Sequence, residues 1–156
     1  MRDYLKILAS IRPGVPVSVN GDSYEGITML DGSQKPTLAE FAAEELPVIR
    51  LDKIAGVKVE AQRRIFARYP QWKQANLHGR TTKLLAIEAG KYRDGTGALQ
   101  SARALTVNEI QEIADASVAM AWIESVRAAS GLIESDINAA TDPASFDVAG
   151  SPRWPA

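Results

Sequence analysis

Acid–base, nucleophilic or metal chemistry would have to come from few residues in this chain. Its 156 residues include one histidine, His78, and no cysteine, so disulfides, thiolate metal sites and Cys nucleophiles are excluded. His78 stands between Leu77 and Gly79, and the basic stretch around it offers only Glu60 as a carboxylate, too little for a facial metal site. No G-x-S-x-G frame or other nucleophile signature accompanies it. Gly90-Lys91 and Gly95-Thr96-Gly97 do not fit the G-x-x-x-x-G-K-[ST] order that cradles phosphates ahead of a helix, and read as linker. The carboxylate pairs Glu44-Glu45 and Glu134/Asp136 sit at spacings that point apart on a helix, which makes them solvated faces. The reading is therefore of a protein with no catalytic residues, no metal and no cofactor. No enzymatic activity is expected of it.

What remains is charge and aromatic surface. From 58 to 83, Lys58, Arg63, Arg64, Arg68, Lys73, Arg80 and Lys83 stand against Glu60, a formal +6. From 106 to 142, Glu109, Glu112, Asp115, Glu124, Glu134, Asp136 and Asp142 stand against Arg127, a formal −6. The whole chain carries −1, so opposite charges are segregated into two helical blocks. The basic block interleaves Phe66, Tyr69 and Trp72, the residue types that stack on bases and contact phosphates. The same aromatics would also fill a corner at Tyr69-Pro70, and the acidic block can neutralise the cations. Summed complementarity of this kind sets helix orientation more than stability. Pairing of the two blocks, within or between subunits, is the favoured reading. Nucleic acid binding is the alternative. The candidate partner-binding residues are Arg63, Arg64, Arg68, Trp72, Lys73 and Arg80, joined by Phe146 and Trp154, large aromatics in a Pro-rich tail that call for a docking groove on this chain or on a partner.

The elements that must position them can be read from periodicity. Tyr4, Leu5, Leu8 and Ile11 recur at helical spacing within 2–11, before Pro13-Gly14. Two short strands near 15–20 and 24–30 flank Asn20-Gly21-Asp22, a tight-turn signal, and Asp31-Gly32-Ser33 closes the hairpin. Thr37 and Glu40 form a capping box that opens a helix through about 46, where Pro47 ends it or starts the next. A second helix over 47–69 would bury Leu51, Ile54, Ala61, Ile65 and Tyr69, with Gly56 as a candidate bend. Pro70 breaks the ladder, and a further helix over 71–89 would be anchored by Trp72, Leu77, Leu84 and Leu85. The polar stretch 90–105 is a connection. A second capping box, Thr106 to Glu109, starts the longest periodic segment, with Ile110, Ala114, Val118, Trp122, Val126, Ala129, Ile133 and Ile137 as its seam. That seam would suit an antiparallel hairpin or a coiled coil.

The fold class expected is mainly α: a small N-terminal helix-plus-β-hairpin module over 1–50, a helical hairpin over 51–140, and an extended aromatic-bearing tail over 141–156. Residues near 31–36 and 46–56 are the candidate linkers. The N-terminus lacks a signal-peptide pattern and no apolar run approaches the roughly 18 residues of a membrane span, so a soluble protein made in a cytoplasm is expected.

The runs EAQRRIFARYPQWKQANLHGR (60–80) and AWIESVRAASGLIESDI (121–137), with the tail SPRWPA, resemble small proteins encoded around the tail-fibre and baseplate region of tailed bacteriophages. The segment from Ile11 to Phe41, with Lys35-Pro36-Thr37 and Glu40 leading into a helix, is similar to the start of tail-associated proteins of the XkdW-like kind. The resemblance covers most of the chain. It implies a protein of the virion tail, made in the bacterial host cytoplasm, that binds tail-fibre or baseplate proteins as a structural subunit or an assembly factor. It also implies a homo- or hetero-oligomer in the tail, and no catalytic residues.

Overall fold

The computed structural model describes residues 3–21 and 23–156, so Arg2 of the expected first helix and Asp22 of the expected turn lie outside the described residues. The chain is mainly helical, with α1 (Tyr4–Ile11), strands β1 (Val17–Val19) and β2 (Ile27–Met29), then α2 (Leu38–Arg68), α3 (Gln71–Glu88) and α4 (Val107–Ala139). It divides into two compact units, one comprising 1–57 with 134–149, the other 58–133 with 150–156. The units draw on α2 and α4 in part, so their bounds differ from the divisions at 50 and 140 read from the sequence.

In the first unit, Asp3 caps α1 by accepting the Lys6 amide at 3.1 Å. The strands pair antiparallel, Val17 opposite Met29, Ser18 opposite Thr28 and Val19 opposite Ile27. They are shorter than expected because a 3-10 turn at Tyr24–Gly26 takes up the start of the second strand. Gly26 is required there: a Cβ would stand 1.9 Å from the Asn20 carbonyl oxygen. Ile7, Leu8, Ile27, Met29, Phe41 and Val48 form the core, with Tyr4, Ile11, Val15, Val17, Val19 and Tyr24 packed against it. Phe41 is the centre of an aromatic cluster, edge-on to Tyr4 and Tyr24 with both centroid distances 5.6 Å. The Thr37–Glu40 capping box forms as expected: the Glu40 amide donates to Thr37 Oγ1 at 3.2 Å and the Thr37 amide to Glu40 Oε2 at 2.6 Å. Residues 134–149 are fastened to α2 by cations on carbonyls. Arg50 Nη2 donates to the Ala140 carbonyl at 3.2 Å, just past the last turn of α4, and Lys53 Nζ to that of Phe146 at 2.8 Å.

One expectation fails at Pro47. α2 runs unbroken from Leu38 to Arg68 with Pro47 inside it, so 46–56 is helix and not linker. A proline withholds the N–H that would have bonded the Ala43 carbonyl, at a cost of about 3 kcal/mol in a helix interior. The helix survives because Phe41 and Val48, two turns apart on one face, enter the same core on either side of the proline. Gly56 likewise leaves the helix continuous, and a Cβ there would meet nothing within 4 Å.

In the second unit, Pro70 ends α2 and caps α3: its carbonyl accepts the Lys73 and Gln74 amides at 2.8 and 3.1 Å. Gln74 Nε2 donates back to the Tyr69 carbonyl at 2.7 Å, fixing the corner from both sides. α3 closes in a Schellman motif, with Gly90 at φ 64°, its amide on Ile87 and the Lys91 amide on Ala86. The connection that follows is built on Asp94, which accepts from the Thr96 and Ala98 amides, the Thr96 hydroxyl and Gln100 Nε2. α4 then starts at the expected capping box, the Glu109 amide donating to Thr106 Oγ1 at 3.3 Å.

The buried face of α4 differs from the expected seam. Ala116, Ala119, Ile123, Val126, Ser130, Ile133 and Ile137 are buried, a strict alternation of three- and four-residue steps. Val126, Ala129, Ile133 and Ile137 were in the expected set, whereas Ile110, Ala114 and Val118 are exposed and Trp122 is half-buried. Among the other expected anchors, Leu51, Trp72 and Leu85 are exposed, and Leu84 is fully buried. The tail adds a 3-10 turn at Pro143–Ser145 and no further α-helix or strand.

Candidate interaction surface

Seven of the eight residues singled out in the sequence have partners within their own unit, and the partners differ in kind. Arg63 and Arg64 both bind Glu60, at 2.6 and 2.8 Å, as successive i,i+3 and i,i+4 neighbours on α2. The Arg63 hydrogen bond, ahead of the Arg64 one, holds the Glu60 carboxyl below its usual range. Arg80 Nε donates to Glu112 Oε2 at 2.7 Å, an ion pair that joins the basic helix α3 to the acidic helix α4 as the charge segregation predicts. Both side chains stay about half exposed, so the pair orients the helices more than it stabilises them. Arg68 and Lys73 meet aromatic faces. The Arg68 guanidinium lies 4.7 Å from the Trp122 ring centroid, and Lys73 Nζ 5.1 Å from that of Tyr69. Each such contact is worth about 0.5–1 kcal/mol at an exposed site.

The tail aromatics find their grooves on this chain. Trp154 is only 8% exposed, with Arg64 5.1 Å above its ring, and Trp122 Nε1 donates to the Ala156 carbonyl at 3.3 Å. Trp154 is therefore a core residue of the second unit. Phe146 is half-buried in the first unit, where Lys53 holds its carbonyl. The basic block is thus largely spent on its own chain, and its charge was a poor guide to what is left for a partner.

Among the described residues, Trp72 is the exception. It is the second residue of α3, two past the corner-capping Pro70, and is 67% exposed. Phe66, on the last turn of α2 before the same corner, is also exposed. Its ring borders a groove of about 350 Å³ whose other lining includes Lys58, Gln62, Gln74 and Arg127 over a floor of Ala61, Ile65 and Ser130. Lys58, Arg127 and two amides thus border the groove beside buried Ala61 and Ile65, and Arg127 is itself paired with Glu124. Sequence reading passed over Phe66 as a corner filler. Its place one residue beyond buried Ile65, on a helix whose inward face repeats at 57, 61 and 65, is the signal that could have marked it.

His78 is exposed and lines a cavity of about 150 Å³ with Leu77, Thr81, Ala116, Ser117 and Met120, a lining without a carboxylate. Among the described residues, no group of three or more His, Cys, Asp or Glu is placed to hold a metal ion. No helix of the described residues is long and apolar enough to cross a membrane. No family model matches the chain, and no curated protein and no solved structure gives a significant match to it.

Proposed function

We propose that this chain is a non-enzymatic component of a bacteriophage tail that binds tail-fibre or baseplate proteins, with the Tyr69-Pro70 corner of its second unit as the binding surface. The observation that carries the binding role is the exposure of Trp72 and of Phe66 on the two helices that meet at this corner. A tryptophan left two-thirds in water at a rigid corner is the residue type and setting of an interface anchor, since a few buried aromatics and arginines carry most interface energy. The corner is held by backbone and side-chain bonds on both sides of Pro70, so little ordering is lost on binding. The assignment to a phage tail rests on the resemblance of 60–80, 121–137 and the N-terminal segment.

Affinity capture of fibre and baseplate proteins from infected cells by the intact chain tests the reading. Trp72→Ala should abolish capture while leaving the helical circular dichroism unchanged, and undiminished capture would overturn the corner as the site. Mass spectrometry of washed particles separates the two roles, since a structural subunit stays at fixed copy number and an assembly factor is lost. The nucleic-acid alternative predicts a salt-dependent gel shift, with a slope set by several phosphate contacts.

A further inference from the structure

α4 carries two apolar faces, and the structure uses one. On the opposite side from the buried positions, Val107, Gln111, Ala114, Val118, Ala121, Ser125, Ala128, Leu132 and Ser135 repeat at the same four- and three-residue steps, and all are exposed. No member of this second seam is charged, although α4 belongs to the most acidic stretch of the chain. It also holds large side chains in water: Val107 is 82% and Val118 65% exposed, and Leu132 is half exposed. Ser125 donates its hydroxyl to the Trp122 carbonyl at 2.7 Å, so covering it would strand no donor. A 3.5-residue repeat kept over four heptads is a line along which two helices supercoil.

We propose that this face of α4 pairs with α4 of a second copy of the chain, antiparallel, to make a two-fold dimer. Self-complementarity selects this occupant. In one antiparallel register Val107 meets Leu132, Ala114 meets Ser125, Val118 meets Ala121 and Gln111 meets Ala128. Val107 and Leu132 then close the two ends, Val118 packs on Ala121 at the two-fold axis, and the small residues Ala114, Ser125 and Ala128 lie between. The flanking residues agree in charge. Glu124 lies beside Ser117 of the second copy, and Asp115 beside its Trp122, over whose ring Arg68 stands. Arg68 has only those aromatic faces as partners among the described residues, so the carboxylate from the second copy supplies its counter-charge. Two-fold symmetry repeats that contact at the other end. A register shifted by one heptad sets Glu124 against Glu124 and is disfavoured. The contact would run about 40 Å along a helix about 10–12 Å wide, which brings its combined footprint near the roughly 1,000 Å² expected of a stable interface.

Analytical ultracentrifugation of the full chain should give a concentration-dependent dimer at micromolar concentration. Val118→Arg should leave a monomer with unchanged helical circular dichroism. Arg68→Glu and Asp115→Arg should each weaken the dimer by about five- to tenfold, and the two together should restore it. The absence of native cysteine makes cross-linking decisive. A mixture of Ala114→Cys and Ser125→Cys chains should oxidise to a disulfide dimer that neither forms alone. A wild-type monomer, a dimer insensitive to Val118→Arg, or efficient cross-linking of either variant with itself would overturn the proposal. Trp72 occupies none of the paired positions of this face, so Trp72→Ala should leave the association state unchanged.

Discussion

Glu109 accepts from Arg103 through both guanidinium nitrogens, at 2.8 and 2.7 Å, and from the Thr106 amide at 2.9 Å. The Arg103 hydrogen bond, followed by the Thr106 amide, pulls its carboxyl down from 4.5 to about 2. A carboxyl depressed in the folded state contributes stability that is whole above its unfolded value and is lost as pH falls through the folded one. The thermal midpoint should therefore drop between about pH 5 and pH 2, and Glu109→Gln should flatten part of that drop while lowering stability at neutral pH. Equal pH profiles for the two proteins in differential scanning calorimetry would refute the assignment. The two tryptophans at opposite extremes of exposure give a sharper contrast. Trp154→Ala should cost about 3 kcal/mol or more in urea unfolding, and Trp72→Ala within about 0.5 kcal/mol. At this scale the capping boxes were legible, because Ser/Thr and Glu three residues apart encode their own hydrogen bonds. The exposure of Trp72 was not, because a one-letter aromatic reads the same in a core and on a surface.

Among the elements, α2 shows how tertiary packing overrides a local signal. Pro47 is exposed and its ring belongs to no core, so replacing it carries no packing loss. Pro47→Ala restores the bond to the Ala43 carbonyl, partly offset by a looser unfolded chain. The net gain should be about 2 kcal/mol, read as a higher urea midpoint with unchanged slope. α4 shows a different limit on sequence reading. Apolar residues fall on both its a/d-like and its opposite face, so periodicity alone gives two seams of equal spacing and cannot say which turns inward. The expected seam began on the outward one at Ile110 and crossed to the inward one at Val126. Trp122, its pivot, lies between the two faces. The Schellman stop at Gly90 follows from a simpler rule, since a positive φ after the last helical turn favours glycine.

For the molecule as a whole, each unit is assembled from a long stretch of chain and a short late one. The first needs 134–149 and the second 150–156. The aromatic centre of the first unit makes it sensitive: Phe41→Ala, at a residue 2% exposed, should cost about 3–5 kcal/mol. Hydrogen exchange should then report lost protection in α1 and the hairpin. The mainly helical class and the order of hairpin, long helices and tail were legible from periodicity and turns. The interleaving of late segments with early ones was not, because it rests on contacts such as Lys53 with Phe146 and Arg64 with Trp154, between residues about ninety apart.

That interleaving bears on synthesis. A ribosome delivers the chain from its N-terminus, and the segments that complete each unit emerge after the long stretches they join. Until they do, the α2 and α4 faces that they cover stay open to water and to other nascent chains. Helices can form as the chain appears, and the cluster around Phe41 can close early, but the bonds from Arg50 and Lys53 wait for residues 140 and 146. Completion of the second unit then waits for Trp154, which follows residues 58–133 of that unit out of the ribosome.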